Sequence, residues 1–129
     1  MTFYQRKIKE IAENWYPNER QLETVIATKN FIDNHFEKEL NLDFLAHIRF
    51  TSKYHLLRLF KKYYGMTPRQ YLIDIRIAKS KEQLKNGTSV TETCFAVGFE
   101  SLGSFSSLFK SKTGKSPSAY QKEQLSRST

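Results

Sequence analysis

The tightest constraint on how this chain can fold is a phrase it contains twice. LFKKYYGMTPRQY (Leu59 to Tyr71) and LFKSKTGKSPSAY (Leu108 to Tyr120) carry Leu, Phe, Lys, Gly, Pro and Tyr at six matching positions, 49 residues apart. In each copy an apolar stripe runs into a glycine, which stops a helix, and a proline three residues later starts another. The alignment extends backwards. Leu42, Leu45 and Ala46 match Val90, Thr93 and Cys94 at an offset of 48, and Leu56, Leu59 and Phe60 match Phe105, Leu108 and Phe109 at 49. The second copy thus has one extra residue in its turn. Short helix, tight turn, second helix and a Gly-x-[Thr/Ser]-Pro entry to a third make a helix-turn-helix written twice.

Helical periodicity holds almost throughout. Only three prolines occur, at 17, 68 and 117, and no stretch alternates with period two. Ile8, Ile11, Ala12 and Trp15 predict a short N-terminal helix that Pro17 ends, and a longer helix follows over roughly Glu19 to Glu37, with Leu22, Val25, Ile26, Ile32 and Phe36 near one face. Asn41, Ser52, Thr67 and Ser89 are expected N-caps, because short oxygen-bearing side chains satisfy the free amides of a first turn. Leu56, Leu59, Phe60 and Tyr63 form one inward stripe, and a later helix carries Leu102, Phe105, Leu108 and Phe109 before Gly114 ends it. The fold class expected is all-α: two helix-turn-helix units joined by a long linker helix, about seven helices plus the short N-terminal one. Residues 1–20 read as an extension, 21–122 as the double helix-turn-helix domain and 123–129 as a frayed tail. Within the domain the first unit spans about 42–64, the linker about 68–86 and the second unit about 89–113.

Charge narrows the function. The net charge is +8, and residues 41–87 hold ten Lys and Arg against three Asp and Glu, so nearly all the excess lies there. That concentration points to a polyanion, nucleic acid before membrane. No apolar run approaches the ~18 residues a membrane helix needs, the N-terminus MTFYQRKIKE lacks a secretory core, and the lone Cys94 fits a reducing compartment. A cytoplasmic, nucleoid-associated protein is expected. His35, His47 and His55 have no partners at metal-ligand spacing, no phosphate-binding glycine loop occurs, and the acids form no paired site. No enzyme, metal or cofactor is expected.

Turning the first inward stripe to the core leaves Lys53, Tyr54, Leu57, Arg58, Lys61 and Lys62 outward. Arg58 can give guanine two parallel hydrogen bonds, Tyr54 can pack on a base or bond a phosphate, and Leu57 can meet a thymine methyl. Lys53, Lys61 and Lys62 suit phosphates, which supply affinity without sequence information. In the second copy Glu100, Ser101, Leu102, Gly103, Ser104, Ser106, Ser107 and Lys110 face outward, a set that discriminates poorly, with Ser101, Ser106 and Lys110 suited to the backbone. The first copy is therefore expected to fix the sequence read and the second to anchor. A linker of about 28 Å compares with the ~34 Å between successive major-groove faces, so one chain is expected to read an asymmetric bipartite site on double-stranded DNA.

Across residues 24 to 121 the chain resembles the DNA-binding domain of the AraC/XylS family of bacterial transcription regulators. The resemblance rests on SKYHLLRLFKKYYGMTPRQYL and on VGFESLGSFSSLFKSKTGKSPSAY, the latter through Gly98-Phe99, Phe105, Phe109-Lys110, Gly114 and Pro117. It implies seven helices, activation through RNA polymerase, and base readers at Tyr54, Leu57, Arg58, Leu102, Gly103, Ser104 and Ser107. Three positions depart from the family pattern. Phe50 stands where a glycine is common, so the first turn is expected to be less tight; Thr93 fills a usually aliphatic core slot, which is expected to loosen the second unit; Leu57 replaces a polar reader. About 23 residues precede the match, so a chain starting at Met1 resembles the lone-domain activators, which act as monomers. A piece of a longer regulator would instead have lost its effector-sensing part. Two rivals stay open: a sequence-nonspecific nucleic-acid binder, and a module that contacts RNA polymerase without needing DNA.

Overall fold

A computed structural model describes residues 2–7 and 17–127. Residues 3–7 are helical, and the expected helix carrying Ile8, Ile11, Ala12 and Trp15 lies outside the described residues. Seven further helices follow: α1 (Pro17–His35), α2 (Leu42–Ile48), α3 (Lys53–Tyr64), α4 (Pro68–Lys85), α5 (Val90–Ala96), α6 (Leu102–Thr113) and α7 (Pro117–Arg127). No strand occurs among the described residues. They divide into two compact units, the first from α1 up to Phe31 with Leu42–Pro68, the second from Ile32–Asn41 with Arg69 onward.

In the first unit Val25, Leu45, Ala46, Leu56, Leu59 and Phe60 are buried. The α1 stripe differs from the expected one. Leu22 and Ile26 are each 41% exposed, while Thr28 is 1% exposed. The buried positions follow 25, 28 and 32, and Thr28 enters because its hydroxyl donates to the Thr24 carbonyl of its own helix at 2.8 Å, so no polar group is left bare. Helix α3 starts at the expected cap: the Ser52 side chain accepts from the His55 amide, and Gly65 ends the helix at φ 70°.

The second unit has an aromatic-rich core. Ile77, Leu84, Cys94, Val97, Phe99, Phe105 and Phe109 cluster, with Phe36, Ile73, Val90, Leu108 and Tyr120 packed around them. Ring centroids run 5.2 Å from Phe99 to Phe105, 5.7 Å to Phe109 and 5.4 Å on to Tyr120, spacings at which tilted aromatic pairs attract. Ser89 and Ser101 cap α5 and α6, and Gly114 ends α6 at φ 83°. On α7, the Gln121 amide donates to the Leu84 and Thr88 carbonyls, tying the last helix to the end of α4. Residues 123–127, read from sequence as part of a frayed tail, are helical, and Glu123 pairs with both Lys115 and Arg127.

The two helix-turn-helix turns close alike. The Thr51 amide donates to the Ala46 carbonyl at 3.1 Å, as the Phe99 amide does to the Cys94 carbonyl at 3.1 Å. The extra residue of the second copy is Glu100, which separates Phe99 from the cap Ser101, whereas Ser52 follows Thr51 directly. The first turn is therefore not looser for lacking glycine. Instead Phe50 takes φ 54°, a left-handed backbone costing an L-residue roughly 1–2 kcal/mol, with its ring 98% exposed. Phe50→Gly is expected to stabilise the first unit by about 1 kcal/mol, glycine's larger unfolded-state entropy offsetting part of the relief; a urea midpoint that falls instead would contradict the strain.

Thr93 is 0% exposed, and its Oγ1 has no hydrogen-bond partner. A buried, unpaired hydroxyl costs on the order of 1–3 kcal/mol. Thr93→Val keeps the shape and removes the hydroxyl, so it is expected to raise stability by about 1 kcal/mol, seen as a higher urea midpoint at unchanged slope. Cys94 beside it is also fully buried, and burial pushes its thiol above the ordinary range.

Candidate nucleic-acid interface

Helix α3 divides cleanly by face. Leu56 and Phe60 are 0% exposed and Leu59 6%, while Tyr54 is 68% exposed. Tyr54, Arg58, Lys61 and Lys62 are solvent-facing, and Lys53 and Leu57 are partly covered. Positions 54, 57, 58 and 61 follow the 3-4-7 spacing that places side chains on one side of a helix. Lys53 is partly engaged within the unit: its Nζ lies 3.6 Å from the Asp43 carboxylate and 5.4 Å from the Tyr54 ring centre. No acidic side chain occurs anywhere on α3, and Lys61 and Lys62 stand in its last turn, where cations also suit the negative end of the helix dipole.

Helix α6 shows the same division with different chemistry. Phe105 and Phe109 are 0% exposed and Leu102 40%; Ser101, Gly103, Ser104, Ser107 and Lys110 are exposed and Ser106 partly so. By the offset of 49, Gly103, Ser106, Ser107 and Lys110 occupy the places of Tyr54, Leu57, Arg58 and Lys61. The Ser101 oxygen already accepts from the Ser104 amide at 3.2 Å, so it caps the helix as well as lying at its outer start. Beyond the expected residues, Lys112 near the end of α6 holds the Asp74 carboxylate of α4 at 3.0 Å.

One residue that sequence reasoning passed over is central to the second unit. Arg76 of α4 donates from Nε to the Phe36 carbonyl at 2.7 Å and from Nη2 to the Lys38 carbonyl at 2.8 Å. Its guanidinium carbon sits 5.6 Å from the Phe99 ring centre. Burial first, and the charge of Arg69 second, pull its pKa below the ordinary value, while Glu100 and Glu37 oppose. No sequence spacing links position 76 with 36, 38 and 99, so only the folded chain shows this cluster.

Among the described residues no three His, Cys, Asp or Glu side chains gather as a metal site, and no helix is long and apolar enough to cross a membrane. Each of the two helices is amphipathic, follows a tight turn and carries hydrogen-bond donors on its exposed face, the form in which such helices are presented to a DNA groove.

Comparison with known proteins agrees. The helix-turn-helix domain family HTH_18 matches residues 45–123. The bifunctional transcriptional activator/DNA repair enzyme AdaA of Bacillus subtilis is 33% identical over 100 residues, covering 77% of this chain and 47% of that protein; the chain thus spans less than half its length. The DNA-binding domain of AdpA, a global transcriptional factor solved in complex with a target DNA, superposes with a TM-score of 0.76 at 25% identity over 80% of this chain and 94% of that one. The C-terminal domain of AraT, a response regulator of Geobacillus stearothermophilus, gives 0.75 at 28% identity over 78% and 84%. Fold, duplicated units and family match converge: the chain belongs to the AraC family of helix-turn-helix DNA-binding domains.

Proposed function

We propose that this chain is a sequence-specific, DNA-binding regulator of transcription, an activator, that reads two adjacent major-groove segments with α3 and α6 of a single copy. The observation that carries the reading is the duplicated helix with one face buried and the other lined by donors, in a fold shared with a domain solved on its target DNA. In this reading Arg58 reads guanine, Tyr54 and Leu57 contact neighbouring bases, and Lys53, Lys61 and Lys62 hold phosphates. Leu102, Gly103, Ser104 and Ser107 meet bases in the second segment, while Ser101, Ser106 and Lys110 hold its backbone. The site is asymmetric because the two faces differ, and no cofactor is required. RNA polymerase is the protein partner, in the cytoplasm.

The test is selection of bound sequences from random duplex DNA at near-physiological salt. The expected result is an asymmetric motif of two blocks centred about 10 bp apart, the block read by α3 being the sharper. A second reading, nonspecific binding, draws on the hydroxyls of α6 and on its two lysines, Lys110 and Lys112; it predicts no enrichment, with affinity fading alike on every sequence as salt rises.

A further inference from the structure

The second recognition helix begins at a turn pressed against a charged side chain. A Cβ at Gly98 would stand 2.9 Å from Arg76 Nη2 and 2.9 Å from the Glu37 carbonyl oxygen, at a φ of +103°. The turn backbone therefore lies directly on the guanidinium and on the strand of chain that follows α1. Phe99, next in sequence, places its ring over the same guanidinium at 5.6 Å and against Phe105 at 5.2 Å. Phe105 is the first fully buried residue of α6. A continuous path thus runs from the carbonyls of Phe36 and Lys38, through the Arg76 fork, to the turn and the start of α6.

The matching position of the first copy differs. Phe50 occupies it, with its side chain 98% exposed. The contrast matters because α6 carries weak readers. Short serines and a glycine reach a base only if the helix backbone is held close to its bonding geometry, whereas a long arginine on α3 can absorb a small displacement.

We propose that Arg76 is a positioning residue for DNA reading: its fork between two carbonyls fixes the Gly98-Phe99 turn and hence the pose of α6, so the second DNA block is recognised through a side chain that itself reads no base. This rests on the reading that α6 enters a groove. Lysine cannot replace it, because a single ammonium keeps the charge but loses the planar fork that spans two carbonyls and stacks on a ring.

The experiment compares wild type, Arg76→Lys and Arg76→Met by selection from random duplex DNA, with helicity checked by circular dichroism at the assay temperature. In both variants, preference within the second block is expected to fall about tenfold, equivalent to about 1.4 kcal/mol, while the first block keeps its preference. Without DNA, amide hydrogen exchange over residues 99–104 is expected to quicken in both variants and that of α3 to stay unchanged. Full recovery by lysine would overturn the proposal in favour of charge alone. Equal losses in both blocks together with lost helicity would reduce Arg76 to general stability, and unchanged exchange with unchanged second-block preference would also overturn it. Should wild type itself show no second block, the reading of α6 fails first, and that arm reveals it before any variant is compared.

Discussion

Phe105→Ala is expected to destabilise the second unit by about 3–5 kcal/mol, the usual cost of emptying a phenylalanine site in a packed core. The ring is 0% exposed and sits between Phe99 at 5.2 Å and Phe109 at 5.7 Å. Truncation therefore removes the contacts of two aromatic pairs and opens a void that its aromatic neighbours cannot collapse to fill. Small domains have only about 5–15 kcal/mol of total stability, so the loss is a large share of it. Urea unfolding followed by circular dichroism reads the effect, and Phe95→Ala is the matched control. Phe95 is 53% exposed, so its truncation is expected to change stability by no more than about 0.5 kcal/mol. Equal costs at the two positions would mean that the centre of this core has been misplaced.

How much of this was written in the sequence depends on the range of the interaction. The caps at Ser52, Ser89, Gly65 and Gly114 were legible because capping is settled within four residues. The inward stripes of α3 and α6 were legible because burial follows the helical period. The repeat itself located the extra residue, Glu100, to the correct turn. Thr28 was missed, and Ile26 wrongly placed inside, because a threonine that bonds its own helix behaves as an apolar residue while still reading as polar. Phe50 differs in another way: the lack of a glycine there suggests a slack turn, but the chain accepts a left-handed backbone since the side chain projects into solvent. Gly98 shows the converse, since no room exists for a side chain. Both turns have the same hydrogen bond, and it is the surroundings that decide which residue each tolerates. Arg76 could not be read at all. Its partners lie 38 and 40 residues away along the chain, and no local pattern anticipates a carbonyl left over at the end of another helix. The outward residues of α3 and α6 fall on the expected faces, but exposure alone leaves the role of each to be tested.

The sharpest of those tests is Arg58. Arg58→Ala is expected to cost about 1–3 kcal/mol at the preferred sequence and to relax the choice of base at one position. Folding stability should hardly move, since the side chain is exposed and no buried contact is lost. Lys61→Ala is the informative comparison: a phosphate contact should weaken binding on all sequences alike and lower the salt slope by about one. The two variants remove the same charge from the same helix, so charge alone predicts the same result for both. Base reading predicts different ones, and it further predicts that Arg58→Lys fails to restore the preference, because an ammonium cannot present guanine with two parallel donors. Titration of each variant against the selected site and a scrambled duplex, at two salt concentrations, separates these outcomes. Should Arg58→Ala weaken both duplexes equally, Arg58 is a phosphate contact like its lysine neighbours, and the bases of the first block must be read by Tyr54 and Leu57, whose single polar atom is the tyrosine hydroxyl.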